Sequence, residues 1–126
     1  MRLLMIATAV LACLPAVAQE PTGPTEYSAV GKASFYSSRF HGRPTASGVA
    51  YDQTALTAAH PSLPFGTLVC VTNTQNGRTV AVEINDRGPF TGGRIIDLSR
   101  RAAQEIGMIN SGSVRVRVEA CEEESI

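Results

Sequence analysis

Two aspartates and a histidine are the residues of this chain best suited to moving protons. Asp86 ends an alternating run and is followed by Arg87-Gly88-Pro89, so a turn begins where its carboxyl group emerges. A carboxylate at the end of a rigid element can project into a groove, which is how scaffolds commonly present a catalytic acid. A free Asp has a pKa of about 3.9, so donating a proton near neutrality requires burial or a second carboxylate nearby. Asp97 is the candidate for that neighbour. An Asp before Arg-Gly also caps its own turn through a side-chain hydrogen bond, and the residues alone leave both readings open. His60 could orient a carboxylate, bind a hydroxyl or carry a proton, although a single His before proline is more often a structural hydrogen-bonding group.

Around these stand aromatic residues that could stack on sugar rings: Tyr36, Phe40, Tyr51, Phe65 and Phe90. Filling a small core is the competing use, stronger for Phe65 and weaker for Tyr36 and Tyr51, whose surroundings are polar. His41 and His60 lack a carboxylate at metal-ligand spacing, so no metal site is expected. Neither a phosphate loop nor a dinucleotide fingerprint occurs, and no cofactor is expected. Cys70 lies mid-strand among apolar residues, which suits packing or a disulfide better than nucleophilic attack.

The elements that must position these groups are short. Ala33-Ser34-Phe35-Tyr36 reads as a first strand, followed over residues 37–48 by a loop rich in Gly, Pro and Ser. Residues 67–73 form a β-rich run with Val69 and Val71 on one face. After the Asn76-Gly77 turn, Val80, Val82 and Ile84 alternate with Ala81, Glu83 and Asn85, which predicts a hairpin. Residues 56–60 and 84–99, outside the strand, read as loop-like polar segments. A helix is expected over residues 99–106, capped by Ser99, with Ala102, Ala103 and Ile106 inward and Gly107 at its end. Val114, Val116 and Val118 alternate with Arg115, Arg117 and Glu119 in a closing strand. An all-β fold with one short helix, closed into a small barrel, accommodates these pieces.

At the front, Arg2, an apolar run over residues 3–14 and Ala16-Val17-Ala18 before Gln19 have the order of a cleavable export leader, residues 1–18. The run is too short to span a bilayer. Val10-Leu11-Ala12-Cys13 offers a second reading, a lipobox with Cys13 lipidated and an outer-membrane anchor. Residues 19–30 read as a flexible lead-in, 31–121 as the domain, and 122–126 as an acidic tail. The charge balance is even, 11 basic against 11 acidic residues, so nucleic acid is not an expected partner. A monomer is the simplest expectation. Removing the leader leaves Cys70 and Cys121, which could form a disulfide in an oxidising compartment or remain two half-buried thiols. Cys121 shares parity with Arg115, Arg117 and Glu119, so a bridge would lie on the outer face.

Taken in order, the motifs resemble the rare lipoprotein A family. They are Gly31-Lys32-Ala33-Ser34-Phe35-Tyr36, Phe40-His41-Gly42-Arg43-Pro44-Thr45-Ala46-Ser47-Gly48 and Leu56-Thr57-Ala58-Ala59-His60, then Leu63-Pro64-Phe65-Gly66-Thr67, Ile84-Asn85-Asp86-Arg87-Gly88-Pro89-Phe90 and Arg94-Ile95-Ile96-Asp97-Leu98-Ser99. The resemblance implies a six-stranded double-psi β-barrel of the kind found in expansins. It also implies lytic transglycosylase activity on peptidoglycan glycan strands, with a preference for strands stripped of stem peptides. By motif, Asp86 matches the family's catalytic Asp and His60 its companion histidine. Asp97 sits where expansin-like barrels place an important acid. Tyr36, Thr45, Tyr51, Asp52, Asn85 and Arg87 are the implied substrate-binding set. Val49 departs from the pattern, since many family members carry Glu there, and this keeps open a non-catalytic, expansin-like module that binds and loosens glycan. An inhibitor-like interaction domain would share the barrel without needing the acids. The resemblance does not extend to a glycan-binding repeat domain, so septal recruitment is not an expectation.

Overall fold

A computed structural model describes residues 26–121; the expected leader, the lead-in as far as residue 25 and the acidic tail lie outside the described residues. The strands are β1 (Ser28–Phe35), β2 (Thr57–Ala59), β3 (Leu68–Asn73), β4 (Thr79–Asp86), β5 (Arg94–Leu98) and β6 (Val114–Ala120), with helix α1 (Arg100–Glu105) between the last two. They close into a barrel in the order β1-β5-β2-β4-β3-β6. Pairs β1/β5 and β2/β4 are parallel and the other four are antiparallel. This is the double-psi barrel that the motifs imply, and closure leaves no unpaired strand edge.

Alternation fills the interior. Val69 and Val71 of β3, Val80, Val82 and Ile84 of β4, and Val114, Val116 and Val118 of β6 are buried, while Arg115 and Arg117 face outward. Ile96 and Leu98 of β5 join them. Gly31 belongs in β1 because a Cβ there would come within 2.7 Å of Ile95 Cγ2. The hairpin turns through Gly77 at φ 77°. Asn73 is buried but satisfied: Nδ2 donates to the Ile106 carbonyl at 2.9 Å, and Oδ1 accepts from the Gln75 amide. Ser99 caps α1 by accepting from the Ala102 amide at 3.2 Å and donates its own hydroxyl to the Ala55 carbonyl at 2.6 Å.

The structure departs from the sequence reading at three elements. The first strand begins at Ser28, so residues 28–30 of the expected lead-in pair with β6 instead. The segments at 57–59 and 94–98 are strands rather than loops. Cys70 and Cys121 are joined by a disulfide with 5.0 Å between Cα atoms, on the side of β3 opposite Val69 and Val71.

Ile84 is wholly buried and lies two residues before Asp86. Ile84→Ala should lower unfolding free energy by about 2–5 kcal/mol, read as a lower urea midpoint with an unchanged slope. A loss below about 0.5 kcal/mol would mean that the barrel is not packed around this side chain.

Candidate active site

Asp86 is the last residue of β4 and lies beside Ala59, the last residue of β2, while the antiparallel β5 begins on this side. Ala59 of β2 pairs with Asp86 on one side and Asp97 on the other, across a register shift between Ala58 and Ala59. The two aspartates are thus fixed two strands apart, a separation of about 10 Å between their backbones. The loop over residues 37–51 folds across this end of the barrel. It is pinned by the Pro44–Ala50 bridge, by Thr45 N donating to the Val49 carbonyl at 2.9 Å, and by Ser47 N donating to the Asn85 carbonyl at 3.3 Å. Gly48 makes the tight return at φ 94°.

That fold-back delivers donors to Asp86. Oδ1 accepts from the amides of Ala46 at 2.8 Å and Arg87 at 2.9 Å, and Oδ2 accepts from the Tyr36 hydroxyl. The Tyr36 phenol is held far above its ordinary pKa, chiefly by burial, then by this hydrogen bond and the charges of Asp86 and Asp97. It therefore stays a neutral donor across the working range of pH. Tyr36 stacks on Tyr51, with ring centroids 4.5 Å apart, and meets Phe40 edge-on at 6.1 Å. With Arg43, Pro44 and Thr45 these rings wall a cleft of about 310 Å³ that has Asp86 in its lining. A second, more open groove of about 460 Å³ runs past Pro61, Pro89, Phe90 and Arg94. Phe90 is 75% exposed at that groove, an apolar ring offered to solvent.

His60 lies elsewhere in the hydrogen-bond network. Nδ1 accepts from the Ser62 and Leu63 amides, each at 3.0 Å, and Nε2 meets the Tyr27 hydroxyl at 2.9 Å. Two amides on Nδ1 place the ring proton on Nε2. The ring contacts neither candidate aspartate by a hydrogen bond; only the His60 backbone reaches Asp86, donating to its carbonyl at 3.2 Å. Arg87 fastens the same turn. Its Nη1 donates to the His60 and Leu63 carbonyls at 3.3 and 2.8 Å, and its guanidinium sits 4.0 Å from the centre of the Phe65 ring. Arg87 is therefore a clamp on residues 60–65.

The other expected residues divide. Thr45 lines the cleft and donates to the Val49 carbonyl at 2.6 Å. Tyr51 lines it too, but its hydroxyl accepts from the Arg100 amide at 3.0 Å and so ties the wall to α1. Asp52 is not brought into the cleft: it is exposed and accepts from the amide and hydroxyl of Thr54, capping its own turn. Asn85 lines neither groove and contributes its carbonyl to the loop. Asp97 Oδ1 accepts from Ser34 Oγ at 2.5 Å and from Arg94 Nη1 at 3.0 Å, so it already carries two donors. Among the described residues no three His, Cys, Asp or Glu side chains converge as a metal site would require. Two contributors left no readable signal: the Ala46 amide, because any residue type has one, and Tyr27, which lay in the supposed lead-in. Arg43 stood within a quoted motif, but only its place in the cleft singles it out.

Burial, then the charge of Arg87, holds the His60 imidazole below its ordinary pKa. The folded state therefore binds this proton less readily than the unfolded chain, whose His titrates at about 6.5. The contribution to stability is complete above that value and falls away as pH drops through the lowered folded value. His60→Asn keeps an acceptor near Nδ1 and should flatten this step in urea unfolding measured from about pH 5 to pH 7.5. An unchanged pH profile in the variant would assign the step to another group.

Known proteins place this geometry in context. The family described as lytic transglycolase matches residues 28–118. An endolytic peptidoglycan transglycosylase RlpA of Neisseria meningitidis is 53% identical over 94 residues, which are 75% of this chain; the chain spans only 39% of that relative's length. Among solved structures, the Streptomyces papain inhibitor superposes with a TM-score of 0.63 at 25% identity, over 76% of this chain and 96% of the inhibitor. An expansin of Clavibacter michiganensis superposes at 0.59 with 22% identity, over 79% of this chain and 53% of the expansin, and shares the fold. The match along most of the described barrel, with an acid set on the end of β4, settles the grouping: this chain belongs to the lytic transglycolase family.

Proposed function

We propose that this protein is an endolytic lytic transglycosylase that cleaves the β-1,4 bond between N-acetylmuramic acid and N-acetylglucosamine, acting on peptide-stripped glycan strands. The observation that carries this reading is Asp86, gripped by three donors at the end of a rigid strand and opening onto an aromatic-walled cleft. Stacked rings suit the apolar faces of sugars, and a fixed carboxyl group suits proton transfer at one atom.

In this mechanism the bound strand buries the carboxyl group of Asp86, and a proton carried there passes to the glycosidic oxygen as the C1–O bond breaks. The resulting carboxylate then takes the proton of the muramyl C6 hydroxyl, whose oxygen bonds to C1 and closes the 1,6-anhydro ring. The proton lost at the start is regained at the end, and no water is consumed. An intramolecular hydroxyl replaces the second carboxylate that ordinary hydrolysis needs, so one acid/base residue suffices. The amides of Ala46 and Arg87 and the Tyr36 hydroxyl stabilise the carboxylate between the two transfers. His60 and Arg87 act as positioning residues that hold the turn beside β4, and Asp97 with Arg94 and Ser34 forms a charged flank. Because peptidoglycan lies outside the cytoplasm, we place the protein in the periplasm, with residues 1–18 as its leader or, alternatively, Cys13 as a lipid anchor.

A second reading, an expansin-like module that binds glycan without cutting it, is favoured by one observation. Val49 is 61% exposed within the loop that grips Asp86, where a carboxylate would add a second titratable group. The two readings part on products. Mass spectrometry of peptide-stripped strands incubated with the protein should find anhydro-muramyl ends, and Asp86→Asn should lower their rate of formation about 10²- to 10⁴-fold. Strand binding without such ends would leave the expansin-like reading, whereas undiminished turnover by Asp86→Asn would move the proton donor to Asp97.

A further inference from the structure

We propose that Arg43 is the specificity-determining residue of the cleft and reads the free lactyl carboxylate of a muramyl residue seated beside Asp86. This inference rests on the glycan-cleaving reading above and adds to it the group that recognises a strand without stem peptides.

Arg43 is held in place by its backbone. Its amide donates to the Phe40 carbonyl at 3.0 Å, and its carbonyl accepts from the Tyr51 amide at 2.7 Å. Its guanidinium rests 5.3 Å from the centre of the Phe40 ring, and the guanidinium of Arg39 lies at the same 5.3 Å from that ring. Only Arg43 of the two lines the cleft with Asp86. Among the described residues the ion pairs are Arg94–Asp97 and Arg101–Glu105, and the Arg43 guanidinium makes no side-chain hydrogen bond. An oriented guanidinium with its donors free, in an aromatic-walled cleft, is a site for a planar anion attached to a ring.

The chemistry of the strand then selects the ligand. N-acetylglucosamine has no ionisable group. N-acetylmuramic acid carries a lactyl carboxylate, which is anionic in a peptide-stripped strand and becomes a neutral amide when a stem peptide is attached. The guanidinium fork pairs with the carboxylate through two parallel hydrogen bonds and gains little from the amide. Arg43 therefore favours stripped strands by attraction at a single group and requires no steric barrier against the peptide.

The test compares peptide-stripped strands with the same strands after their lactyl carboxylates are converted to methylamides. For the wild-type protein, kcat/KM should be about 10- to 100-fold higher on the free carboxylate. Arg43→Ala should lose that factor on the free strand, change little on the methylamide, and so bring the two substrates level. Arg43→Lys, which keeps the charge without the fork, should recover part of the preference. Arg39→Ala removes an equal charge outside the cleft and should keep the wild-type ratio. If Arg43→Ala retains the preference, or loses activity equally on both strands, the assignment is overturned. Should the wild-type protein cut neither strand, the transglycosylase reading fails by itself. Calorimetric Kd values for the two strands then decide on Arg43: levelling in Arg43→Ala supports its role, and a retained difference refutes it.

Discussion

Three residues of β2 hold the functional end of this barrel together. Ala59 pairs in parallel with Asp86 and antiparallel with Asp97, so a single buried alanine sets the positions of both acids. A strand this short gains little from its own side chains. It is kept in place by ladders on both sides and by the Thr57 carbonyl accepting from the Ser99 amide at 2.8 Å. Everything attached to Asp86 inherits that geometry: the Tyr36 hydroxyl, the loop that brings the Ala46 amide, and the wall built from Phe40 and Tyr51.

The division of labour around the acid follows from hydrogen-bond accounting. His60 and Arg87, whose residue types suggest chemistry, are both occupied in shaping one turn: one accepts amides at Nδ1, the other donates to carbonyls. A buried imidazole with both nitrogens engaged contributes rigidity to the segment it caps, and an arginine over Phe65 does the same from the other side. The groups left with unused capacity facing solvent are Asp86 and Arg43 on one flank and Phe90 on the other.

Strands with one wet face were legible in the sequence, because β4 and β6 alternate strictly and the hairpin turn carries Asn-Gly. β2 and β5 were not legible as strands. β2 has three residues, too few for a period to register, and β5 sets Ile95 and Ile96 side by side because both of its faces meet other groups. The start of β1 was hidden for another reason: Ser28 to Val30 are ordered by pairing with β6, a partner distant in sequence. Of the candidate site, Asp86, Tyr36, Thr45 and Tyr51 came from residue type and motif. Asp52 was misplaced because an Asp two residues before Thr serves its own turn equally well.

Two of the three donors on Asp86 are main-chain amides. Side-chain replacement does not delete an amide; among the ordinary residues only proline lacks one. The acid's surroundings are therefore buffered against mutation at position 46, an exposed residue where a saturation library should tolerate nearly any side chain except the cyclic one. Position 36 has no such protection, since its donor is a phenol supplied by a single residue type. The robustness of the centre is thus uneven, with its weakest point at the one contact made by a side chain.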